Sequence, residues 1–288
     1  MLSGGSMSLL YNSHMFYNAL KMPALSSDWE KFKISYKSEL KAPVSISVRE
    51  DSIVFNVHIK FHKNMLRPYE NKDPNYCDSF LKNKEDGYTF ADAAVEAINE
   101  HWGKSYTIKG FENPVRVVIN VIRHDDKDAV FEKGQRFFKI KLSNFSDTSF
   151  VASSPWRWLW GMPFYLCPES VMLNWSPYEP GTIHMHKYMS LKYFKKVIAH
   201  EFGHVLGIGD AYGAHYRFYY EAPNTSTYMM NNNLNVNPEE LMMVLRAHET
   251  KRMQYFPIKF SLKNYINGLK KDFKYYFKLF NKSHKNNN

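Results

Sequence analysis

His200-Glu201-Phe202-Gly203-His204-Val205-Leu206-Gly207-Ile208-Gly209-Asp210 is the stretch on which the reading of this 288-residue chain turns. Two histidines four apart on a helix stand on one face about a turn apart, so both imidazoles can reach one metal ion. Glu201, beside the first of them, is placed to be the general base toward a water activated at that ion. Gly207, three residues past the second histidine, lets the helix stop and the chain turn sharply. The turn can bring Asp210 back as a third ligand. Two rivals compete for that position: His215, five residues further on, and a downstream glutamate, Glu239 or Glu240.

Ser190 can cap the helix that carries the motif, and Leu191, Phe194, Val197, Ile198, Phe202 and Val205 give it a broad apolar face. Histidines on such a helix are often ordinary core residues. Glu201, Gly207 and Asp210, all at the required spacings, argue against that here. Downstream lies an aromatic segment with Tyr212, Tyr216, Phe218, Tyr219 and Tyr220, followed by Ser226-Thr227-Tyr228-Met229-Met230-Asn231. Asn237-Pro238-Glu239-Glu240 then opens a further helix, with proline in its first turn and acids near its positive end. This helix is expected to run to about Tyr255.

Upstream, Ile53, Phe55, Val57, Ile59 and Phe61 alternate with polar residues, the period of a half-buried strand. After a polar loop, Thr89 and Asp92 form a capping box, Ala91, Ala94, Val95, Ile98 and Trp102 keep helical spacing, and Gly103 closes the helix. Residues 115–122 are strongly β-branched and should be a buried strand; 137–142 should be another. Residues 143–170 read as a connection carrying Trp156, Trp158 and Trp160. Strands are expected at 171–175 and 182–186, the latter with His184 and His186.

The extended motif resembles the active-site stretch of the metzincin clan of zinc peptidases, and among them the smaller group with aspartate as third ligand, of the snapalysin type. Residues 180–184, Pro-Gly-Thr-Ile-His, also resemble matrix metalloproteinase chains, in which a histidine of this strand holds a structural metal. The likeness covers roughly residues 50–256; its specific motifs lie in 200–231, and the rest matches by element order. It implies an α+β, zincin-type fold: a mixed twisted sheet with two helices, above a smaller, mostly helical C-terminal subdomain. It implies one catalytic Zn2+ held by His200, His204 and Asp210, with Glu201 as general base in peptide hydrolysis. It also implies a methionine turn beneath the zinc, with Met230 preferred and Met229 close behind. Substrate would lie along the strand bearing Val171 and Leu173, with Tyr212 and Tyr228 shaping a pocket for apolar or aromatic side chains.

Composition bounds the rest. The apolar share of 44% is that of a folded globular chain. Net charge +10 favours solubility and anionic surfaces, but no nucleic-acid module is visible and no nucleic-acid partner is expected. Cys77 and Cys167 can make at most one disulfide. Residues 1–50 read as an arm or pro-like segment, 51–256 as the catalytic domain and 257–288 as a basic tail. In the tail, Leu262, Ile266, Leu269, Phe273, Phe277 and Phe280 face one way and lysines the other, a pattern suited first to packing back on the catalytic domain and otherwise to an anionic membrane or a protein partner. The N-terminus lacks the pattern of a signal peptide, which leaves open a sequence already trimmed, a protein secreted or translocated by another route, or one that acts inside cells. The expected protein is a monomeric endopeptidase acting on proteins or peptides. The competing reading is a non-catalytic zinc-binding toxin or interaction module that docks through its tail.

Overall fold

A computed structural model of the chain describes residues 36, 41–49, 51–67, 87–108, 113–126, 131–143, 149–154, 175–186, 190–212, 219–220, 222–256, 259–260, 263, 266–267 and 270. In chain order the elements are β1 (Val44–Val48), β2 (Ser52–Phe61), α1 (Phe90–Trp102), β3 (Ser105–Tyr106), β4 (Val115–Arg123), β5 (Phe138–Ser143) and β6 (Phe150–Ala152). They continue as β7 (Thr182–His186), α2 (Leu191–Val205), β8 (Tyr219–Tyr220), α3 (Met229–Asn232), α4 (Pro238–Thr250) and β9 (Lys259–Phe260). The fold class is α+β.

A seven-stranded mixed sheet runs β3-β4-β2-β5-β7-β6, with β1 paired to β2 beside β5. β4, β2, β5 and β7 are mutually parallel; β1, β3 and β6 pair antiparallel to their neighbours. The alternation in β2 is what orients it. Ile53, Phe55, Val57, Ile59 and Phe61 are buried toward the helices, while Asn56 and His58 are only partly buried. A shift of one residue would exchange the two sets, so the apolar face locks the register.

α1 and α2 pack against each other as well as against the sheet. Phe90 meets Phe194 edge to face at 5.5 Å, and Trp102 meets Phe202 the same way at 6.0 Å. Each such buried ring contributes about 1.5–3 kcal/mol by burial alone. The pair is further tied by Lys195, which reaches Glu96 at 2.8 Å and Glu100 at 3.1 Å. α1 begins with the capping box expected of Thr89 and Asp92.

The structure differs from the sequence expectations at several places. The sheet starts before residue 50: β1 forms a hairpin with β2 across the boundary drawn there. The connection 143–170 contains β6, too short for periodicity to reveal. At 171–175, Val171 and Leu173 lie outside the described residues, and Trp175 is a buried non-strand residue. α4 ends at Thr250 rather than near Tyr255, because Lys251 takes a left-handed conformation that stops the helix. Of the tail, Lys259–Phe260 pair with Tyr219–Tyr220, and Lys263, Ile266, Asn267 and Lys270 are helical and exposed. Among the described residues no helix is long and apolar enough to cross a membrane. Cys77 and Cys167 lie outside the described residues.

Candidate metal centre

α2 is capped by Ser190 and carries both histidines in its last two turns. It ends because Gly207 adopts φ 96°, a left-handed conformation open to glycine at little cost. A side chain there would also strike Trp175 and Ala247, at 2.7 and 2.9 Å from the added carbon. The backbone then folds back on the helix: Ile208 N–H donates to Gly203 O and Gly207 N–H to His204 O. Gln254 clips the turn from outside, its N–H donating to Gly207 O and its O accepting from Gly209 N–H, both at 2.8 Å. On the far side Ala211 N–H donates to Met230 O at 2.8 Å. Both neighbours of Asp210 are therefore held by backbone bonds, which sets the carboxylate in place.

One ligand atom from each of His200, His204 and Asp210 can be chosen so that all lie within 4.8 Å of one another. Each imidazole is oriented by its other nitrogen. His200 Nδ1 donates to Met229 O at 2.8 Å and His204 Nδ1 to Ile208 O at 2.9 Å. Carbonyl oxygens only accept, so both protons sit on Nδ1 in the neutral rings and both Nε2 atoms carry lone pairs. Those lone pairs face Asp210 Oδ1 at 2.9 and 3.4 Å. As ion pairs these contacts require protonated rings. With neutral rings neither Nε2 has a proton to give, and Asp210 Oδ1 is then a buried oxygen without a hydrogen bond. A proton on each Nε2, or one cation shared by all three groups, resolves the convergence. The electrostatics agree. Burial works against charged rings, yet the hydrogen bonds and charge of Asp210 outweigh it and hold both histidines above their ordinary pKa. Asp210 is held far below the carboxylate range, its two histidines overcoming the effect of burial. Two nitrogens and one carboxylate oxygen suit a divalent transition ion, zinc among them.

Glu201 is 5% exposed, and its Oε2 has no partner among the described residues. Burial pushes its carboxyl above the ordinary glutamate value. A buried acid with an uncommitted oxygen beside a ligand histidine can take up and return a proton.

Beneath the ligands, α3 brings Met229 and Met230 to complete burial. The Met230 thioether lies against Gly203, the residue before His204. Tyr212 is partly buried and stacks on His200, with centroids 6.0 Å apart and planes 19° apart. Tyr228 caps α3 and packs on Phe256 at 6.1 Å. Burial first, and then Glu239 beside it, pushes its phenol up to about 12.

Of the three rival ligands, the two glutamates lie among the described residues. Glu240 is spent on the backbone amides of Met229, Met230 and Asn237, so it does not ligate. Glu239 stands beside the Tyr228 phenol and acts on its pKa. His215 lies outside the described residues. His184 stacks on Phe150 at 4.5 Å, and burial lowers its pKa to about 4. The only cluster of three metal-ligating groups among the described residues is His200, His204 and Asp210, so His184 gains no partner ligands there.

Three supporting residues were not assigned to the site from the sequence. Trp102 and Trp175 donate their indole N–H groups to Ala199 O and Val205 O, both at 2.9 Å, bracing α2 from two sides. Gln254 clips the ligand turn. Helical spacing marked Trp102 as a core residue but not its partner, Trp175 was read only as the end of an expected strand, and Gln254 acts through its backbone, which leaves no mark on residue type. No family model matches the chain, and neither the curated proteins nor the solved structures contain a match.

Proposed function

We propose that this chain is a zinc-dependent endopeptidase of the metzincin type. The observation that carries the reading is the convergence of His200, His204 and Asp210, with the uncommitted Oε2 of Glu201 beside them. The element order supports it in part: two strands, a helix and five further strands precede the ligand-bearing helix, where the resemblance implies one strand, a helix and four strands. The buried methionine floor under Gly203 supports it as well.

When bound, the ion would activate a water and polarise the scissile carbonyl. His200, His204 and Asp210 would hold it, the histidines fixed in one tautomer by Met229 O and Ile208 O. Glu201 would take the proton of the attacking water, and its raised affinity for protons lets it return that proton to the leaving amine. Tyr212 would wall one side of the site. With Val171 and Leu173 undescribed, we assign the extended substrate to β6. It packs against α2 and is the last strand of the sheet among the described residues, so its outer edge can receive a peptide by strand addition.

The test is metal analysis with peptide-library cleavage, on the parent and on Glu201→Ala. The expected result is one equivalent of zinc in both proteins and a loss of about 10²–10⁴-fold in cleavage in the variant. Zinc without cleavage in the parent would sink the peptidase reading and favour a binding module.

A further inference from the structure

Glu240 has no solvent exposure, and a carboxylate without water needs donors. It has three, all backbone amides: Met230 N–H to Oε1 at 2.8 Å, Asn237 N–H to Oε2 at 2.7 Å, and Met229 N–H to Oε2 at 3.3 Å. The Asn237 bond belongs to the capping box that opens α4. The Met230 bond does something different. Met230 N–H and Met229 C=O are the two ends of one peptide plane, and the C=O end accepts the Nδ1 proton of His200. An anion bonded to the N–H of a conjugated amide pushes charge onto its oxygen, so the two hydrogen bonds strengthen each other.

We infer that Glu240 is a positioning residue of the metal centre, acting through the Met229–Met230 peptide to fix the tautomer of His200 and to strengthen its Nε2 as a ligand. Ligand histidines commonly pass their second N–H directly to a carboxylate or a carbonyl, and the partner raises ligand basicity. Here carbonyl and carboxylate stand in series. The series arrangement keeps the negative charge close enough to act, while three amides hold the carboxylate away from the ion.

His204 provides the internal contrast. Its Nδ1 donates to Ile208 O, and the other end of that peptide, Gly209 N–H, donates to Gln254 O. The same relay of imidazole, peptide and acceptor therefore ends on a neutral carbonyl at His204 and on a carboxylate at His200. By this relay the added negative charge acts on His200 and not on His204. Burial holds the Glu240 carboxyl above the ordinary glutamate value, with the three amides and the charge of His200 opposing it. All three of its partners among the described residues donate, an environment built for the ionised form.

The inference rests on the metal-centre reading, and the experiment separates the two. Zn2+ is titrated against a competing chelator into the metal-stripped full chain, for the parent, Glu240→Gln, Glu240→Asp and Asn237→Ala. Glu240→Gln keeps an acceptor but loses the charge, and should bind Zn2+ about 10–100-fold more weakly. Glu240→Asp should recover part of that loss. Asn237→Ala weakens the α4 cap but leaves the relay intact, so it should lower the unfolding midpoint without changing Zn2+ affinity. A Glu240→Gln protein that binds like the parent, or an Asn237→Ala protein that loses as much, overturns the relay. One readout needs no variant: in the zinc-loaded parent the Nδ1 proton of His200 should resonate further downfield than that of His204. Equal shifts would also overturn it. A parent that takes up no Zn2+ brings down the metal-centre reading and this inference together.

Discussion

His58–His124 and His200–His204 bring their rings equally close, with centroids 5.2 and 5.1 Å apart and planes inclined at 66° and 85°. Only the second pair forms a candidate metal site. In the first, across β2 and the turn after β4, His58 Nδ1 and His124 Nε2 hydrogen-bond each other at 3.0 Å, and His124 stacks on Phe131 at 3.7 Å. Those nitrogens are spent on each other. In the second, each Nδ1 is taken by a backbone carbonyl, which turns both Nε2 atoms toward Asp210. Ring proximity is the same; what the other nitrogen does decides the chemistry.

Charge separates the pairs as well. Burial lowers the pKa of His58, and the neighbouring His124 adds to this against the opposing charge of Glu132. His124 is lowered by burial and by Lys60, with Asp125 opposing. His200 and His204 are shifted the other way, because Asp210 overcomes their burial. One carboxylate inside the pair reverses the sign.

The strongest way to break this comparison is to remove that carboxylate. Asp210→Ala should weaken zinc binding by at least about 100-fold, as seen by chelator competition, leaving two imidazoles that no longer form a site. Full zinc content in the variant would place the third ligand elsewhere, with His215 the first to examine.

A smaller effect is expected from the floor of the metal pair, which the strand pair lacks. A carbon added at Gly203 would sit 3.2 Å from both Met230 Cε and Trp102 Cζ2, with the Met230 sulfur closer still. Gly203→Ala should therefore cost about 1–3 kcal/mol by overpacking, read as a lower urea midpoint at unchanged slope. An unchanged midpoint would mean that the thioether does not press on the helix.

The smallest effect is a pH slope. The folded chain holds His58 and His124 below the ordinary histidine value of 6.5. In acid the unfolded chain then binds more protons than the folded one. The stability these rings contribute is complete above that value and is lost as pH falls through their folded pKa values. His124→Gln should flatten the decline in melting temperature between about pH 7 and 5 while leaving zinc stoichiometry unchanged. A slope identical to the parent's would remove the pair from the acid response.

Legibility followed the range over which each signal acts. The alternation of Ile53 to Phe61 and the capping box at Thr89 and Asp92 were readable because each is complete within a few residues and depends only on local geometry. β6 was not readable. Its three residues carry no period, and β7 alone makes them a strand. Asn237 and Glu240 were readable as the opening of a helix, yet not as partners of the Met229–Met230 peptide, because that contact closes across a turn.

The opening motif divides in the same way. By itself the sequence determined that His200 and His204 share a helix face, that Glu201 stands beside them and that Gly207 can end the helix. These follow from the 3.6-residue period and from glycine's access to positive φ. Only the tertiary structure decided that Asp210 joins them and Glu240 does not. Where a carboxylate finishes depends on which amides, carbonyls and rings the fold has already brought within hydrogen-bonding distance. Gln254, Met230 and the two methionine amides come from distant parts of the chain, and spacing along the sequence carries no record of them.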